Sequence, residues 1–166
     1  MRTASSMMST LQVSQLQHAL ARFLDTTPYH PCCLIISPDV RRLAFAAEQI
    51  QRWYSWPPLS VGLALSTALL SVLPPQRPAE SVAAFTTAVR RHGAGPLLCV
   101  DIDLLFEPAL QLDPLRLLRD ASRQVTLVAL WPGMIANGRL SYAVPEHGHY
   151  RVWGAGELPT EQMIVL

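Results

Sequence analysis

The sequence contains no lysine: all 13 of its basic residues are arginine. Nucleotide-hydrolysing enzymes commonly place a lysine ammonium on the phosphate oxygens, where a compact point charge is needed. This chain has no such group to offer. Any mechanism that requires an ammonium on a phosphate is therefore excluded from this chain.

Cysteine is also scarce. The three cysteines are Cys32, Cys33 and Cys99, and each lies in an apolar run that is typical of a strand. An odd number of cysteines without Cys-x-x-Cys spacing argues against both a disulfide framework and a zinc site. We interpret them as small buried hydrophobic residues and expect a reducing cytoplasm.

Charge runs and long apolar stretches are absent too. The net charge is +1 at pH 7, which disfavours direct binding to nucleic acid. No apolar run reaches the length of a membrane span, and residues 1–10 are polar rather than signal-like, so we expect a flexible N-terminus. Half of the residues are hydrophobic, and residues 11–166 are expected to form a single domain with a substantial core.

The stretch Pro96–Phe106 is the strongest strand signal. It opens as a continuous apolar run that is too short for a helix, which is typical of a strand buried on both faces. It then carries Asp101 and Asp103, which we expect at the carboxyl edge of the sheet, where α/β proteins bind ligands. The two acids predict either a magnesium site or a structural pair that binds local amides or an arginine.

Strand and helix signals alternate along the chain. The apolar run Cys32–Ser37 predicts a first core strand, and Asp39 is expected to cap a helix that ends near Tyr54. The other predicted elements are strands at Leu59–Leu65, Val125–Leu130, Tyr150–Trp153 and Met163–Leu166, helices at Ser66–Val72 and Glu80–Arg91 and after Asp113, and a hairpin turn at Asn137-Gly138. This alternation predicts an α/β fold with an open, mostly parallel sheet and helices on both faces.

The segment between the first strand and its helix is the expected place for a phosphate-binding loop. Such a loop needs glycines, a lysine and a hydroxyl for magnesium. The segment Ser37–Ala44 has no glycine, no lysine and no hydroxyl at the metal position, and Pro38 removes a donor amide. Only Arg41 and Arg42 are available to contact an anion there.

Aromatic residues and histidines mark two further places. Trp131-Pro132-Gly133 ends a core strand, and its tryptophan either closes the core or anchors a partner. Trp53 and Trp56 flank a helix end and are also candidates for partner binding. His147 and His149 lack a third ligand at suitable spacing, so we expect a polar loop and no metal site.

Several motifs together resemble BrxF, the small P-loop-type protein of type 3 BREX phage-defence systems. The residues that carry this resemblance are Val61–Ser66, Leu69-Leu70, Pro75–Pro78, Leu97–Phe106, Leu112–Leu115, Val128–Gly133, Leu140–Ala143, Pro145–His147 and Tyr150-Arg151. The resemblance implies a three-layer P-loop-NTPase-like (RecA-like) fold. It also implies a role in bacterial defence alongside a large AAA+ ATPase, a phosphatase-like protein and a DNA methyltransferase. The family's phosphate loop is missing at Ser37–Ala44. Asp101 and Asp103 are the residues that match the acidic end of the family's strand.

The resulting expectation is a non-catalytic, cytoplasmic scaffold that acts by binding other defence proteins and carries no cofactor, catalytic residue or resident metal. Its partner-binding candidates are Arg41, Arg42, Trp53, Trp56 and Trp131. The alternative is a nucleotide-binding regulatory subunit or weak NTPase that holds ATP and magnesium. Its candidate residues are Ser37, Arg41, Arg42, Asp101 and Asp103. Whether the protein forms oligomers is left open by the sequence.

Overall fold

The computed structural model describes residues 8–26, 28–154 and 156–166. Most of the predicted flexible N-terminus therefore lies outside the described residues. The helices are α1 (Thr10–Leu24), α2 (Val40–Tyr54), α3 (Val61–Leu69), α4 (Arg77–Arg91) and α5 (Pro114–Ala121). The strands are β1 (Cys32–Ser37), β2 (Pro58–Ser60), β3 (Leu97–Val100), β4 (Leu127–Ala136), β5 (Arg139–Tyr142), β6 (Arg151–Trp153) and β7 (Met163–Val165).

The fold is α/β, as the alternation of elements predicts. The strands follow the order β2-β3-β4-β1-β7, and β5 and β6 extend the sheet from the far half of β4. β2 with β3, β3 with β4 and β1 with β7 are parallel pairs, whereas β4, β5 and β6 form an antiparallel meander. The mostly parallel sheet with flanking helices is consistent with the predicted RecA-like architecture.

The described chain divides into two compact units. One contains residues 8–26, 33–56, 130–154 and 156–166, and the other contains residues 28–32 and 57–129. The prediction of a single domain over residues 11–166 stays a prediction. Among the described residues, no helix combines the length and the apolar character needed to cross a membrane.

Apolar burial explains the central strands. All six residues of β1 are buried, and so are the first five of β4, which is typical of strands covered on both faces. The three cysteines are fully buried and unbridged, as predicted. Burial raises the pKa of Cys32 to about 12, an effect that the charge of Arg119 partly opposes.

Two predicted strands are wrong in their extent. The run Leu59–Leu65 is not a strand: β2 ends at Ser60, whose hydroxyl accepts a hydrogen bond from the N–H of Leu63 and starts α3. β3 ends at Val100, which is only half-buried, and residues Ile102–Phe106 form a 3-10 helix. An apolar run fits a buried helix face as well as a strand, so local capping decided between them.

Candidate functional site

The junction between β1 and α2 is where a phosphate loop was sought. Only Pro38 and Asp39 separate the last residue of β1 from the first residue of α2. The N–H of Asp39 donates to the hydroxyl of Ser37 over 3.2 Å. The N–H of Arg41 donates to the carboxylate of Asp39 over 2.9 Å, so Asp39 caps α2 as predicted. The N–H groups of Asp39 and Arg41 are thus used by the chain's own oxygens.

The junction differs from a phosphate-binding helix N-terminus. Phosphate binding at a helix N-terminus uses N–H groups that point freely at the anion. Here the carboxylate of Asp39 takes the position of the anion, Pro38 has no N–H, and Ser37 is buried with its hydroxyl oxygen accepting from the backbone. No glycine lies in this segment to allow a closer approach of the backbone.

Arg41 and Arg42 follow the cap. Arg41 is exposed and Arg42 is half-buried, and Val40 beside them exposes 64% of its surface. The first turn of α2 contains these two cations and no acidic residue. Since the N-terminus of a helix already carries partial positive charge, this placement costs stability rather than adding to it. The two arginines therefore form an exposed basic site that folding does not require.

Asp101 lies directly after β3. Its backbone adopts the left-handed conformation, with φ of 53°, which is uncommon for a residue with a side chain. Its carboxylate accepts a 2.9 Å hydrogen bond from the hydroxyl of Ser60, and its carbonyl accepts one of 2.9 Å from the N–H of Gly62. A Cβ at Gly62 would lie 3.1 Å from that carbonyl oxygen, so the backbones approach closely here. Asp101 thus holds the start of α3 beside the end of β3.

The predicted acidic pair has two different environments. Asp101 makes no side-chain cap on the 3-10 helix that follows it; its partner is Ser60 on the neighbouring strand β2. Asp103 lies in the first turn of that 3-10 helix and is exposed. Among the described residues, no group of three or more histidine, cysteine or acidic side chains is arranged to hold a metal ion.

The nucleotide-binding candidates belong to both compact units. Ser37, Arg41 and Arg42 lie in the unit that contains α2, and Asp101 and Asp103 lie in the unit that contains β3. Each group has its own local contacts. Ser37, Arg41 and Arg42 lie at the capped start of α2, and Asp101 accepts a hydrogen bond from Ser60.

The aromatic residues at the end of α2 form a cluster. The rings of Tyr54 and Trp56 stack with their centroids 4.6 Å apart, and Trp53 meets Tyr54 edge-on at 6.5 Å. Ser55 has a φ of 55°, which ends the helix and turns Trp56 back onto Tyr54. Partial burial, and secondarily the charge of Asp25, raise the pKa of Tyr54. Trp53 and Trp56 are half-buried, so each keeps a surface for a partner.

Trp131 is wholly buried, which favours the core interpretation over the partner-binding one. Its indole N–H donates to the carbonyl of Ser141 over 2.8 Å, and Trp153 packs edge-on against it at 5.0 Å. A Cβ on Gly133 would overlap that same Ser141 carbonyl. The Trp131-Pro132-Gly133 segment therefore fixes the β4–β5 hairpin and presents no anchor.

The His147 loop is held by local contacts. The N–H of His149 donates to Nδ1 of His147 over 3.0 Å, and the two rings lie 5.5 Å apart. The ring of His147 also packs edge-on against Tyr142 at 5.7 Å. Both histidines therefore have contacts within their own loop or with Tyr142.

The sequence did not predict a groove between α3 and α4. It has a volume of about 690 Å³. Its walls are formed by β2 and by small residues of both helices, among them Ala64 and Ala68 on α3 and Ala84 and Ala88 on α4. The available signal was charge: no residue from Trp53 to Gln76 is ionisable as an acid or base at neutral pH. Charge depletion over such a stretch is typical of surfaces that bind other proteins.

No protein-family model, curated protein or solved structure matches this chain.

Proposed function

We propose that this protein is a non-catalytic, P-loop-derived scaffold of a BREX-like bacterial antiphage complex, and that it works in the cytoplasm by binding other proteins. One observation carries the proposal. The carboxylate of Asp39 occupies the N-terminus of α2, where a nucleotide-binding relative would hold a phosphate. A carboxylate and a phosphate repel each other, so the position of Asp39 supports a role without bound nucleotide.

The basic site at Arg41 and Arg42 gives this scaffold a place to bind. Both arginines follow the closed junction, and neither forms an ion pair within the part of the chain that the structure describes. An acidic segment of a partner protein matches such a site, because arginine forms paired hydrogen bonds with carboxylates. The large AAA+ ATPase of the system is the partner that we propose. Trp53 and Trp56 offer a second, aromatic contact surface at the C-terminal end of that helix.

The alternative is a regulatory subunit that binds nucleotide or hydrolyses it weakly. The observation in its favour is that the carboxylates of Asp101 and Asp103 are both exposed. They follow β3, which the family resemblance matches to the family's strand with an acidic end. The junction at Ser37 and Asp39 argues against it.

Calorimetry with millimolar MgATP separates the two functions. The scaffold predicts no saturable binding. Saturable binding that Asp101→Ala weakens would overturn the scaffold and support the nucleotide-binding subunit.

Affinity capture then tests the partner. Tagged protein, expressed with the whole defence operon, is expected to retain the AAA+ ATPase. A capture in which no protein of the operon is enriched over a tag-only control would contradict the scaffold role.

A further inference from the structure

The face of α4 that lines the groove has a symmetric arrangement of residues. Glu80 lies at one end of the groove and Arg91 at the other, with Ala84 and Thr87 between them. At 3.6 residues per turn, these four residues lie within about 60° of one another around the helix. The groove-lining residues Ala83 and Ala88 repeat the pattern beside them. From either end of α4, this face presents a charged residue, then two small residues, and then a residue of the opposite charge.

The two charges at the ends complement the dipole of α4, but within the described residues they have no oppositely charged partner. Glu80 and Arg91 are exposed, and neither forms an ion pair across residues 8–26, 28–154 and 156–166. They lie about 16 Å apart along the helix, which is too far for them to pair with each other. An antiparallel copy of the same helix would bring each charge beside its opposite.

The other wall of the groove is apolar and exposed. α3 carries no charged residue, and it exposes 68% of Leu63 on the groove. Leu70, just after α3, exposes 83%. The large exposed side chains form a ridge, and the neighbouring row of small residues forms a groove that the ridge of another helix can enter.

We propose that this face binds a second copy of the chain, with the two α4 helices packed antiparallel about a two-fold axis. In this arrangement Glu80 of one copy meets Arg91 of the other, and the reverse contact forms as well. Ala84 faces Thr87 and Ala83 faces Ala88, so the helices approach closely, and Leu63 of each copy packs on the α4 helix of the other. A contact of this kind is self-complementary, as a two-fold interface must be.

The charge pattern favours a second copy over an unrelated helix. An unrelated helix needs only an apolar ridge, and opposite charges placed symmetrically at the two ends add nothing for it. The antiparallel copy satisfies both ends with one sequence. This inference concerns self-association and goes beyond the scaffold function, which is decided by different residues.

A charge-exchange cycle tests the proposal by sedimentation equilibrium. Wild-type protein is expected to dimerise at micromolar concentrations. Glu80→Arg and Arg91→Glu each set like charges against each other twice per dimer, and each is expected to weaken dimerisation by about tenfold or more. The double variant E80R/R91E restores both pairs and is expected to dimerise like the wild type. At about 100 micromolar even a weak dimer should form, so a wild type that is still monomeric at that concentration overturns the proposal. Single variants that dimerise normally overturn it too, as does a double variant that stays monomeric.

Cysteine cross-linking gives a second measurement that does not depend on charge. The three native cysteines are fully buried and do not compete with an introduced surface thiol. In the antiparallel dimer Ala84 faces Thr87, so a mixture of Ala84→Cys and Thr87→Cys proteins is expected to form disulfide dimers faster than either variant alone. Equal rates in all three samples would contradict the antiparallel arrangement.

Discussion

The hydroxyl of Ser60 donates a 2.9 Å hydrogen bond to the carboxylate of Asp101, across 41 residues of sequence. The same hydroxyl oxygen accepts a hydrogen bond from the N–H of Leu63 over 3.3 Å and caps α3. One serine therefore starts a helix and holds the left-handed end of β3 in place. This contact gives Asp101 a structural partner, but that partner is the Ser60 hydroxyl and not the local amides or the arginine that the sequence predicted.

Removing the Ser60 hydroxyl should destabilise the protein. Ser60→Ala loses both the cap and the bond to Asp101, and we expect a loss of about 1–2 kcal/mol in the free energy of unfolding. Urea denaturation followed by circular dichroism measures it. Ser66→Ala is the matched control, because Ser66 is exposed on the same helix and bonds only to the carbonyl of Leu63. We expect that control to change stability by less than about 0.5 kcal/mol. Equal stability of both variants would show that the Ser60 contact contributes nothing.

A side chain at Gly133 should be tolerated poorly. Its Cβ would overlap the carbonyl of Ser141, which already accepts the indole N–H of Trp131. Gly133→Ala must displace β5 or the buried indole, and we expect a loss of about 3 kcal/mol or more. Gly148→Ala is the control, since no atom lies within 4 Å of a Cβ at that position. Thermal melting of the two variants is the measurement, and similar melting temperatures would contradict the packing described for Trp131.

Local signals in the sequence were sufficient for several elements. Asp39 caps α2 as predicted, because a cap needs only an oxygen and the amides that follow it. The Asn137-Gly138 turn was also predicted correctly: both residues have positive φ, at 51° and 72°.

Other features depend on contacts between distant residues. The run Leu59–Leu65 is apolar except for Ser60. Its helical part begins at Val61 and is capped by Ser60, whose other partner is Asp101. The burial of Trp131 depends on the register that places Ser141 beside Met134. The groove exists only because α3 packs on α4. None of these partners is adjacent in sequence, so residue patterns along the chain did not reveal them.

The buried thiols should make the protein less stable in alkali. Burial raises the pKa of Cys32 from 9.0 to about 12, and burial also raises that of Cys99. A raised pKa in the folded state means that the stabilisation is complete below pH 9 and is lost as the pH rises towards 12. Between these pH values, each thiol lowers the free energy of unfolding by at most about 1.4 kcal/mol per pH unit. We expect Cys32→Ala to reduce the slope of unfolding free energy against pH between pH 9 and 11. An unchanged slope would contradict burial of the Cys32 thiol.

The basic site at the start of α2 gives the sharpest functional prediction. Arg41→Glu/Arg42→Glu places acidic residues at a helix N-terminus that has two cations and no acid in its first turn. Because this end of the helix favours negative charge, the melting temperature should stay within about 3 °C of wild type or rise. If the arginines bind an acidic partner segment, the same variant should lose capture of the AAA+ ATPase and protection in phage plaque counts.

A second pair of arginines provides the control for charge alone. Arg22→Glu/Arg90→Glu changes the net charge by the same amount at exposed positions in the last turns of α1 and α4. There the substitution opposes the helix dipole, so a small drop in melting temperature is expected, while ATPase capture at the α2 site should persist. If Arg41→Glu/Arg42→Glu folds normally and still captures the ATPase, the closed junction plays no part in binding. The contact would then have to be tested at Trp53 and Trp56, whose half-buried rings are the other surface on α2.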